Sequence, residues 1–359
     1  MRYDMKKIIA VFGTRPDAVK MCPLVLELKK RESLEVKVCL TGQHREMLDS
    51  VTAVFGVKAD YDLSVMGKAQ SLSDVTTKII DGITPILQKE KPDLVLVHGD
   101  TATAFASALA AFYLKIPVGH IEAGLRTHRI DSPYPEEFNR RAISLMSSFD
   151  FAPTEVAKEH LVKEGKDPAR VFVTGNTVID ALKYTVKDAP NSKEGRLVLL
   201  TAHRRENIGE AMRNIFSAVK RVAQKYDDIK IVYPMHPNPS VRSIAEEILV
   251  GCDRVVLTEP LELSEFHTLL AQSYCVLTDS GGVQEEAAAL GKPCLVLRDT
   301  TERPESASLM LVGTNKEDII REFERLLTDE ERYASMQNAP NPFGDGKASE
   351  RIADILERI

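Results

Sequence analysis

Carboxyl, guanidinium and imidazole side chains recur directly after the short apolar runs of this 359-residue chain. Asp100 follows one such run, Glu122 ends another, and Glu136 comes later in the same half. In the second half, His203 and His236 each stand just past an apolar run. Carboxylates and imidazoles can give or take protons, and cationic side chains can stabilise a developing negative charge. These residues are therefore candidates for acid–base chemistry on an anionic substrate.

Each candidate also has a structural interpretation. The alternatives are an N-cap for Asp100, an ion pair of Glu122 with Arg126, and an exposed i,i+4 pair of Glu136 with Arg140. Glu137 and Arg141 have the same spacing, which is typical of a solvated helix surface. His98 and His120 lie in or beside apolar runs, where a histidine more often has a structural role.

Glycine spacing indicates what kind of anion is bound. Residues 13–16 (GTRP) lack the later glycines of GxGxxG, and no GxxxxGK[ST] occurs, so a dinucleotide fingerprint and a P-loop are excluded. Residues 279–282 (DSGG) lie between a predicted strand and a short helix, where backbone N–H groups can approach a phosphate. Arg303 follows nearby. A tight turn would look the same, but the combination favours a diphosphate.

No metal or organic cofactor is indicated by the sequence. The chain has neither HExxH nor a Cys/His cluster with zinc spacing. Its five cysteines include no CxxC, and most lie in or beside apolar runs, which predicts buried, inert thiols.

Charge and composition limit the partners. With 47 Lys+Arg against 53 Asp+Glu, the formal net charge is −6, and no basic tract is present. A nucleic-acid partner is therefore not expected. No apolar stretch approaches the roughly 20 residues of a membrane span, and no secretory signal is recognisable, so we expect a cytoplasmic protein.

Apolar runs alternate with segments of helical period throughout the chain. The predicted strands are 7–12, 36–41, 94–98, 118–122, 171–174, 197–201, 230–233, 255–257, 274–278 and 293–297. Because they are nearly continuous in Val, Leu and Ile, they indicate parallel sheets covered by helices, an α/β doubly wound fold. The chain divides at a polar stretch into two Rossmann-like domains, 1–175 and 176–359. A last helix, 348–359, follows a Pro/Gly-rich loop and is free to pack back on the N-terminal domain.

Eight motifs occur in an order that resembles the bacterial non-hydrolysing UDP-N-acetylglucosamine (UDP-GlcNAc) 2-epimerases over essentially the whole chain. They are 12–20 (FGTRPDAVK), 41–44 (TGQH), 99–101 (GDT), 120–126 (HIEAGLR), 135–140 (PEEFNR), 203–207 (HRREN), 279–286 (DSGGVQEE) and 298–305 (RDTTERPE). The resemblance implies a GT-B fold with the active site in a cleft between two Rossmann-like domains. It also implies a homodimer, no NAD, and a role in supplying bacterial surface polysaccharides.

The implied reaction interconverts UDP-GlcNAc and UDP-N-acetylmannosamine (UDP-ManNAc). UDP leaves by anti elimination to 2-acetamidoglucal and returns by syn addition with the opposite configuration at C2. The resemblance assigns the sugar and its catalysis to the first domain and UDP to the second. The implied catalytic residues are Asp100, Glu122, Glu136, Arg140 and His203. The implied substrate-binding residues are Arg15, Lys20, His236, Phe266, Ser280, Gly281, Gly282, Glu286 and Arg303. Which carboxylate is the base and which the acid stays open.

Many bacterial members of that family bind a second substrate molecule as an activator. The candidate residues for such a site here are Gln43, Glu46, Arg205 and His236. Arg45 and Glu46 stand where a second amide is expected, so allosteric activation stays open.

Other functions share part of this pattern. A hydrolysing epimerase would release N-acetylmannosamine and UDP while keeping most of the nucleotide contacts. A GT-B glycosyltransferase would need an acceptor pocket, for which the sequence gives no sign. A non-enzymatic sensor would bind the nucleotide sugar without exchanging its C2 proton.

Overall fold

The chain forms two compact units. The computed structural model describes residues 5–42, 45–67, 70–187, 195–301, 303 and 305–359, and it gives no side-chain detail for 45–47. One unit comprises 1–184 and 343–359, and the other comprises 185–342. The boundary lies between Tyr184 and Thr185, whereas the sequence analysis places it at 175/176.

The first unit is built around a parallel sheet. Its strands are β1 (Lys6–Phe12), β2 (Leu34–Leu40), β3 (Tyr61–Asp62), β4 (Leu94–His98), β5 (Val118–Ile121), β6 (Phe149–Ala152) and β7 (Val171–Val173). Its helices are α1 (Arg15–Leu28), α2 (Arg45–Phe55), α3 (Leu72–Glu90), α4 (Ala102–Tyr113), α5 (Glu136–Met146), α6 (Glu155–Lys163) and α7 (Thr177–Thr185). Within the described residues the sheet has seven strands in the order β3-β2-β1-β4-β5-β6-β7.

The second unit repeats this design. Its strands are β8 (Arg196–Thr201), β9 (Ile229–Pro234), β10 (Val255–Thr258), β11 (Cys275–Thr278), β12 (Cys294–Val296) and β13 (Leu309–Leu311). Its helices are α8 (Glu210–Lys225), α9 (Pro239–Leu249), α10 (Leu263–Gln272), α11 (Gly281–Ala289), α12 (Lys316–Thr328) and α13 (Glu330–Gln337). Over the described ranges the sheet is parallel with six strands in the order β10-β9-β8-β11-β12-β13.

The last helix, α14 (Ala348–Arg358), belongs to the first unit. Asp180 of α7 accepts the backbone N–H groups of Ala348 and Ser349, at 3.1 and 2.8 Å, and so satisfies the start of α14. The Nζ of Lys6 donates to the carbonyl oxygen of Leu356 at 2.7 Å, near the other end of the helix.

The predicted α/β class is confirmed, since each predicted strand is present. Three strands were not predicted. β3 has two residues, β13 has three, and β6 contains the fully buried Asp150, which interrupts its apolar pattern. Lys166 pairs with Asp150 at 2.9 Å and the hydroxyl of Ser147 donates to it at 2.7 Å, although burial still raises the pKa of this carboxyl.

All five cysteines are buried and unpaired, as predicted. Burial raises the pKa of both Cys22 and Cys39 to about 12, which keeps these thiols protonated and unreactive. Among the residues that the structure describes, no helix has the length and apolar character to cross a bilayer.

Glu90, the last residue of α3, is expected to make the unfolding free energy depend on pH. Lys37, Tyr61 and Lys7 all contact its carboxylate, and they lower its pKa from 4.5 to about 2. Because the folded pKa is depressed, the stabilisation is complete above the unfolded value and is lost as the pH falls through the folded one. Urea unfolding of wild type and Glu90→Gln should therefore differ most near neutral pH, and the difference should shrink below about pH 4.3. A difference that grows on acidification would contradict this.

Candidate functional site

The carboxyl ends of β1, β4 and β5 are adjacent in the first sheet and carry the predicted site residues. Close packing at this edge explains Gly13, since a Cβ there would lie 1.8 Å from Oγ1 of Thr41 and 2.6 Å from Oγ1 of Thr103. Thr14 caps α1 by accepting the N–H of Asp17 at 3.3 Å. Arg15 is the half-buried first residue of that helix.

Glu122 follows β5 directly and has a φ of 60°. This left-handed conformation is uncommon outside glycine, and such residues cluster at functional sites. Its buried carboxylate pairs with Nζ of Lys20 from α1, and Nδ2 of Asn176 donates to it at 2.8 Å. The alternative pairing of Glu122 with Arg126 is wrong, because Arg126 forms a bidentate pair with Glu164 at 2.8 and 2.9 Å. The two N–H groups of an arginine guanidinium match the two oxygens of a carboxylate better than the ammonium group of a lysine does.

His98, at the end of β4, lies behind this ion pair. Its Nδ1 is 3.3 Å from Oδ1 of Asp17, and its Nε2 is 3.7 Å from Oε2 of Glu122. His120, the third residue of β5, instead places Nε2 2.7 Å from the carbonyl oxygen of Gly99, and burial lowers its pKa to about 3. His120 is therefore neutral and supports the turn that carries Asp100.

Asp100 follows the left-handed Gly99, and its carboxylate pairs with Nη2 of Arg140 from α5. The N-cap interpretation of Asp100 is wrong, because Thr101 caps α4 by accepting the N–H of Ala104 at 3.2 Å. Nδ2 of Asn139 donates to the backbone oxygen of Asp100 at 2.8 Å. The carboxylate is thus available for a role other than capping, and 20% of the side chain is exposed.

Helix α5 is not the solvated surface that its charge spacing suggested. Arg140 and Glu137 are buried, with Nη1 of the arginine 3.7 Å from Oε2 of the glutamate. Arg141 does pair with Glu137 at 3.0 Å, which is the predicted i,i+4 contact. Glu136 begins the helix and is half-buried. Arg140 pairs with Asp100, so its predicted exposed pairing with Glu136 is wrong.

In the second unit, Asp279 organises the carboxyl ends of β8 and β11. Its buried Oδ2 accepts the backbone N–H groups of His203 and Arg204, both at 2.9 Å, and Nδ2 of Asn207 at 3.0 Å. The His203 ring stacks on that of His236, with centroids 5.1 Å apart and an angle of 10° between the planes. Partial burial lowers the pKa of His236, and the His203 ring adds to this effect.

The predicted diphosphate loop surrounds the start of α11. Ser280 precedes this helix in an extended conformation, and its N–H donates to Oγ1 of Thr278 at 2.9 Å. A Cβ at Gly281 would lie 2.6 Å from Nη1 of Arg303, so glycine allows the guanidinium to approach the helix start. Nε of Arg303 donates to the fully buried Glu285. A cation held beside the N-terminus of a helix suits a phosphate.

Glu286 is on α11, where its Oε1 would lie 3.9 Å from a Cβ at Gly282, and Phe266 is on α10. Oε1 of Glu286 is 3.5 Å from Nε2 of His267, whose Nδ1 is 2.5 Å from the hydroxyl of Thr185. Within the part of the chain that the structure describes, the buried Oε2 of Glu286 has no hydrogen-bond partner, and hydroxyl donors of a ligand would satisfy it. Phe266 is partly buried and packs on the apolar cluster of Leu270.

Comparison with known proteins decides the family. A sequence model described as UDP-N-acetylglucosamine 2-epimerase matches residues 26–357. The chain belongs to the UDP-N-acetylglucosamine 2-epimerase family. The Bacillus subtilis epimerase is 51% identical over 98% of this chain and 94% of its own length, and the Neisseria meningitidis serogroup A epimerase is 49% identical over 98% and 99%.

Solved epimerase structures have the same architecture. A Neisseria meningitidis UDP-GlcNAc 2-epimerase bound to UDP-GlcNAc superposes with a TM-score of 0.94 at 47% identity, covering 98% of this chain and 100% of that one. An S. aureus co-structure with UDP gives 0.93 at 50% identity, covering 99% and 96%. The fold of this epimerase family member is accordingly GT-B-like, with two α/β units that each contain a parallel sheet.

The sequence analysis did not include several residues that lie beside the candidate site. Asn176 contacts Glu122, Asp279 contacts the backbone of His203, and Asp17 contacts His98, which the sequence analysis took as structural. Only Asp17 and Asp279 lie in motifs that the sequence analysis quoted. Asn176 comes soon after β7, in a Gly-Asn-Thr string, and a polar residue in that position is the signal that could have identified it. Among residues predicted for activation, Arg205 is exposed in a short 3₁₀ turn. Gln43 and the side chain of Glu46 lie outside the described residues.

Proposed function

We propose that this epimerase interconverts UDP-GlcNAc and UDP-ManNAc by eliminating UDP to 2-acetamidoglucal and adding it back. The single observation that carries this proposal is the pair of carboxylate–cation contacts at neighbouring strand ends: Glu122 with Lys20 after β5, and Asp100 with Arg140 after β4. Two carboxylates at one sheet edge suit a reaction that removes a proton and restores it on the opposite face.

The chemistry explains why more than one group is required. The C2–H of the sugar is not acidic by itself, so departure of UDP must build oxocarbenium character at C1 before or as the proton leaves. Carboxylates stabilise that cation and accept the proton. Because a planar glucal is protonated on the face opposite to the one that lost the proton, two of Asp100, Glu122 and Glu136 take the two roles.

UDP can leave only if the negative charge that develops on its diphosphate is stabilised. In the second unit, His203, Ser280, Gly281, Gly282 and Arg303 supply an imidazole, a helix N-terminus and a guanidinium. The proposed ligands of the rest of the nucleotide are Phe266 for the uracil face, Glu286 for the ribose hydroxyls, and His236. The resemblance also assigns Arg15 to substrate binding. The buried oxygen of Glu286 supports its assignment to hydroxyl donors.

Exchange of the C2 proton with solvent tests the function. The protein is incubated with UDP-GlcNAc in deuterium oxide without added NAD, and proton NMR follows C2. We expect UDP-ManNAc deuterated at C2, and deuterium in the recovered UDP-GlcNAc as well. Full retention of the C2 proton would contradict the elimination mechanism. Accumulation of free N-acetylmannosamine with UDP would indicate the hydrolysing reaction, and binding without exchange would indicate a sensor.

We also propose that two copies of the chain form a homodimer. Helices α4 and α5 of the first unit leave Phe112, Tyr113, Phe138 and Leu145 substantially exposed, at 54%, 69%, 47% and 86%. Neighbouring exposed apolar side chains of this size are typical of an interaction surface. A cytoplasmic location, as expected from the sequence, and a role in supplying surface polysaccharides, as implied by the resemblance to the family, are further parts of the proposal.

A further inference from the structure

A row of buried polar side chains runs back from Glu122 into the first unit. The His98 ring lies between two carboxylates, with Nδ1 3.3 Å from Oδ1 of Asp17 and Nε2 3.7 Å from Oε2 of Glu122. All three residues are at most 7% exposed. The imidazole therefore bridges a carboxylate on α1 and the proposed catalytic carboxylate after β5.

Asp17 is itself held in place. The hydroxyl of Thr101 donates to its Oδ2 at 3.2 Å, and its backbone N–H is bound by Thr14. An ionised carboxylate accepts hydrogen bonds and cannot donate them, so its contact with His98 requires a proton on Nδ1. Asp17 thus determines the orientation of the ring, and it contacts His98 rather than Glu122.

The other end of the ring lacks a hydrogen bond. Among the described residues, Nε2 of His98 has no hydrogen-bond partner, and leaving such a buried atom unsatisfied is unfavourable. It points at Glu122 across a gap roughly 0.7 Å longer than an N–H···O hydrogen bond. Contacts of this kind are often long before substrate binds and shorten in the complex.

We propose that Asp17 and His98 are positioning residues that orient Glu122 for proton transfer. An imidazolium donates from both ring nitrogens, and in that form His98 gives Oε2 of Glu122 a donor in addition to Lys20 and Asn176. Asp17 holds the ring so that Nε2 points at that oxygen. The inference rests on the proposed function, because it assigns a role relative to the carboxylate that the reaction uses.

Two uncharged substitutions of His98 separate its two contacts. In His98→Asn the amide lies near the position of Nδ1, so it can bind Asp17 and does not reach Glu122. In His98→Gln the amide lies near the position of Nε2, so it reaches Glu122 and loses Asp17. We expect His98→Asn to lower kcat by about 10–100-fold with KM within about threefold, as for other residues that orient a reacting group. His98→Gln should keep kcat within about fivefold of wild type.

A structural role for His98 predicts the reverse order, since His98→Asn preserves the contact with Asp17. Equal kcat values, or a larger loss in His98→Gln, would overturn the proposal. The control is His160→Asn, which alters a part-buried histidine bound to the Gly124 carbonyl and should leave kcat unchanged.

A second measurement tests the positioning role of Asp17 and His98 if His98→Asn does not fold. Asp17→Asn should lower kcat by about tenfold in the wild-type background and by less than about twofold in His98→Gln, where the ring is absent. An equal loss in both backgrounds would overturn the proposal. Exchange at C2 by the wild-type protein in deuterium oxide distinguishes this inference from the proposed function. If the wild type shows no exchange, the proposed function is refuted. If it shows exchange but His98→Gln loses more kcat than His98→Asn, only this inference is refuted.

Discussion

The Asp100→Asn variant is expected to interconvert the two nucleotide sugars about 10³-fold more slowly than wild type, since a positioned acid–base group contributes 10²–10⁴-fold. Asparagine keeps the shape of the side chain and its place beside Arg140 but can neither take nor give a proton at the pH of the reaction. Turnover is measured by NMR at saturating UDP-GlcNAc, and UDP affinity by calorimetry. Affinity should stay within about threefold, because all the proposed nucleotide ligands except Arg15 lie in the other unit.

Asp131→Asn is the matched control for Asp100→Asn. Asp131 forms a long, exposed pair with Arg129 at 3.9 Å, and exposed pairs of this kind contribute little. Its turnover should equal that of wild type. If Asp100→Asn also retained turnover within about threefold, Asp100 would have no part in proton transfer, and Glu122 and Glu136 would be left as the two candidates.

Much of the fold was predictable because strands that are buried on both faces have nearly continuous apolar sequences. β4 and β11 are clear examples, with every residue buried. β6 escaped prediction because Asp150 is the second of its four residues, and the contacts of this buried carboxylate with Lys166 and Ser147 are not evident from the strand's own sequence. The start of α4 was predictable to within one residue, but whether Asp100 or Thr101 caps it depends on the backbone conformation that follows the left-handed Gly99.

For the candidate site, the sequence predicted the positions of residues relative to strands but not their contacts. The sequence analysis placed Asp100 after one predicted strand and Glu122 at the end of another, and these strands, β4 and β5, pair in the sheet. Local spacing then suggested the wrong partners, Arg126 and an N-cap role. Glu122 is 102 residues away from Lys20, and no helical or strand periodicity links such residues.

Replacing Lys20 by methionine is expected to lower the free energy of unfolding by about 3–5 kcal/mol, because removing one member of a buried ion pair leaves the other charge uncompensated. Lys20 and Glu122 are both less than a tenth exposed, so water cannot replace the ammonium easily. Urea unfolding measures the loss. Lys163→Met is the control, since the exposed pair of Lys163 with Glu159 at 3.2 Å should contribute less than about 1 kcal/mol.

The double variant Lys20→Met/Glu122→Gln shows whether the stabilisation comes from the pair itself. With neither charge present, Asn176 still donates to the glutamine, and the uncompensated carboxylate is gone. The double variant should therefore be more stable than Lys20→Met alone, by about 1–3 kcal/mol, while remaining inactive. Additive losses from the two single changes would mean that Lys20 and Glu122 stabilise the fold independently. In that case the buried cation would serve the substrate rather than Glu122, and Lys20→Met should raise KM more than it lowers kcat.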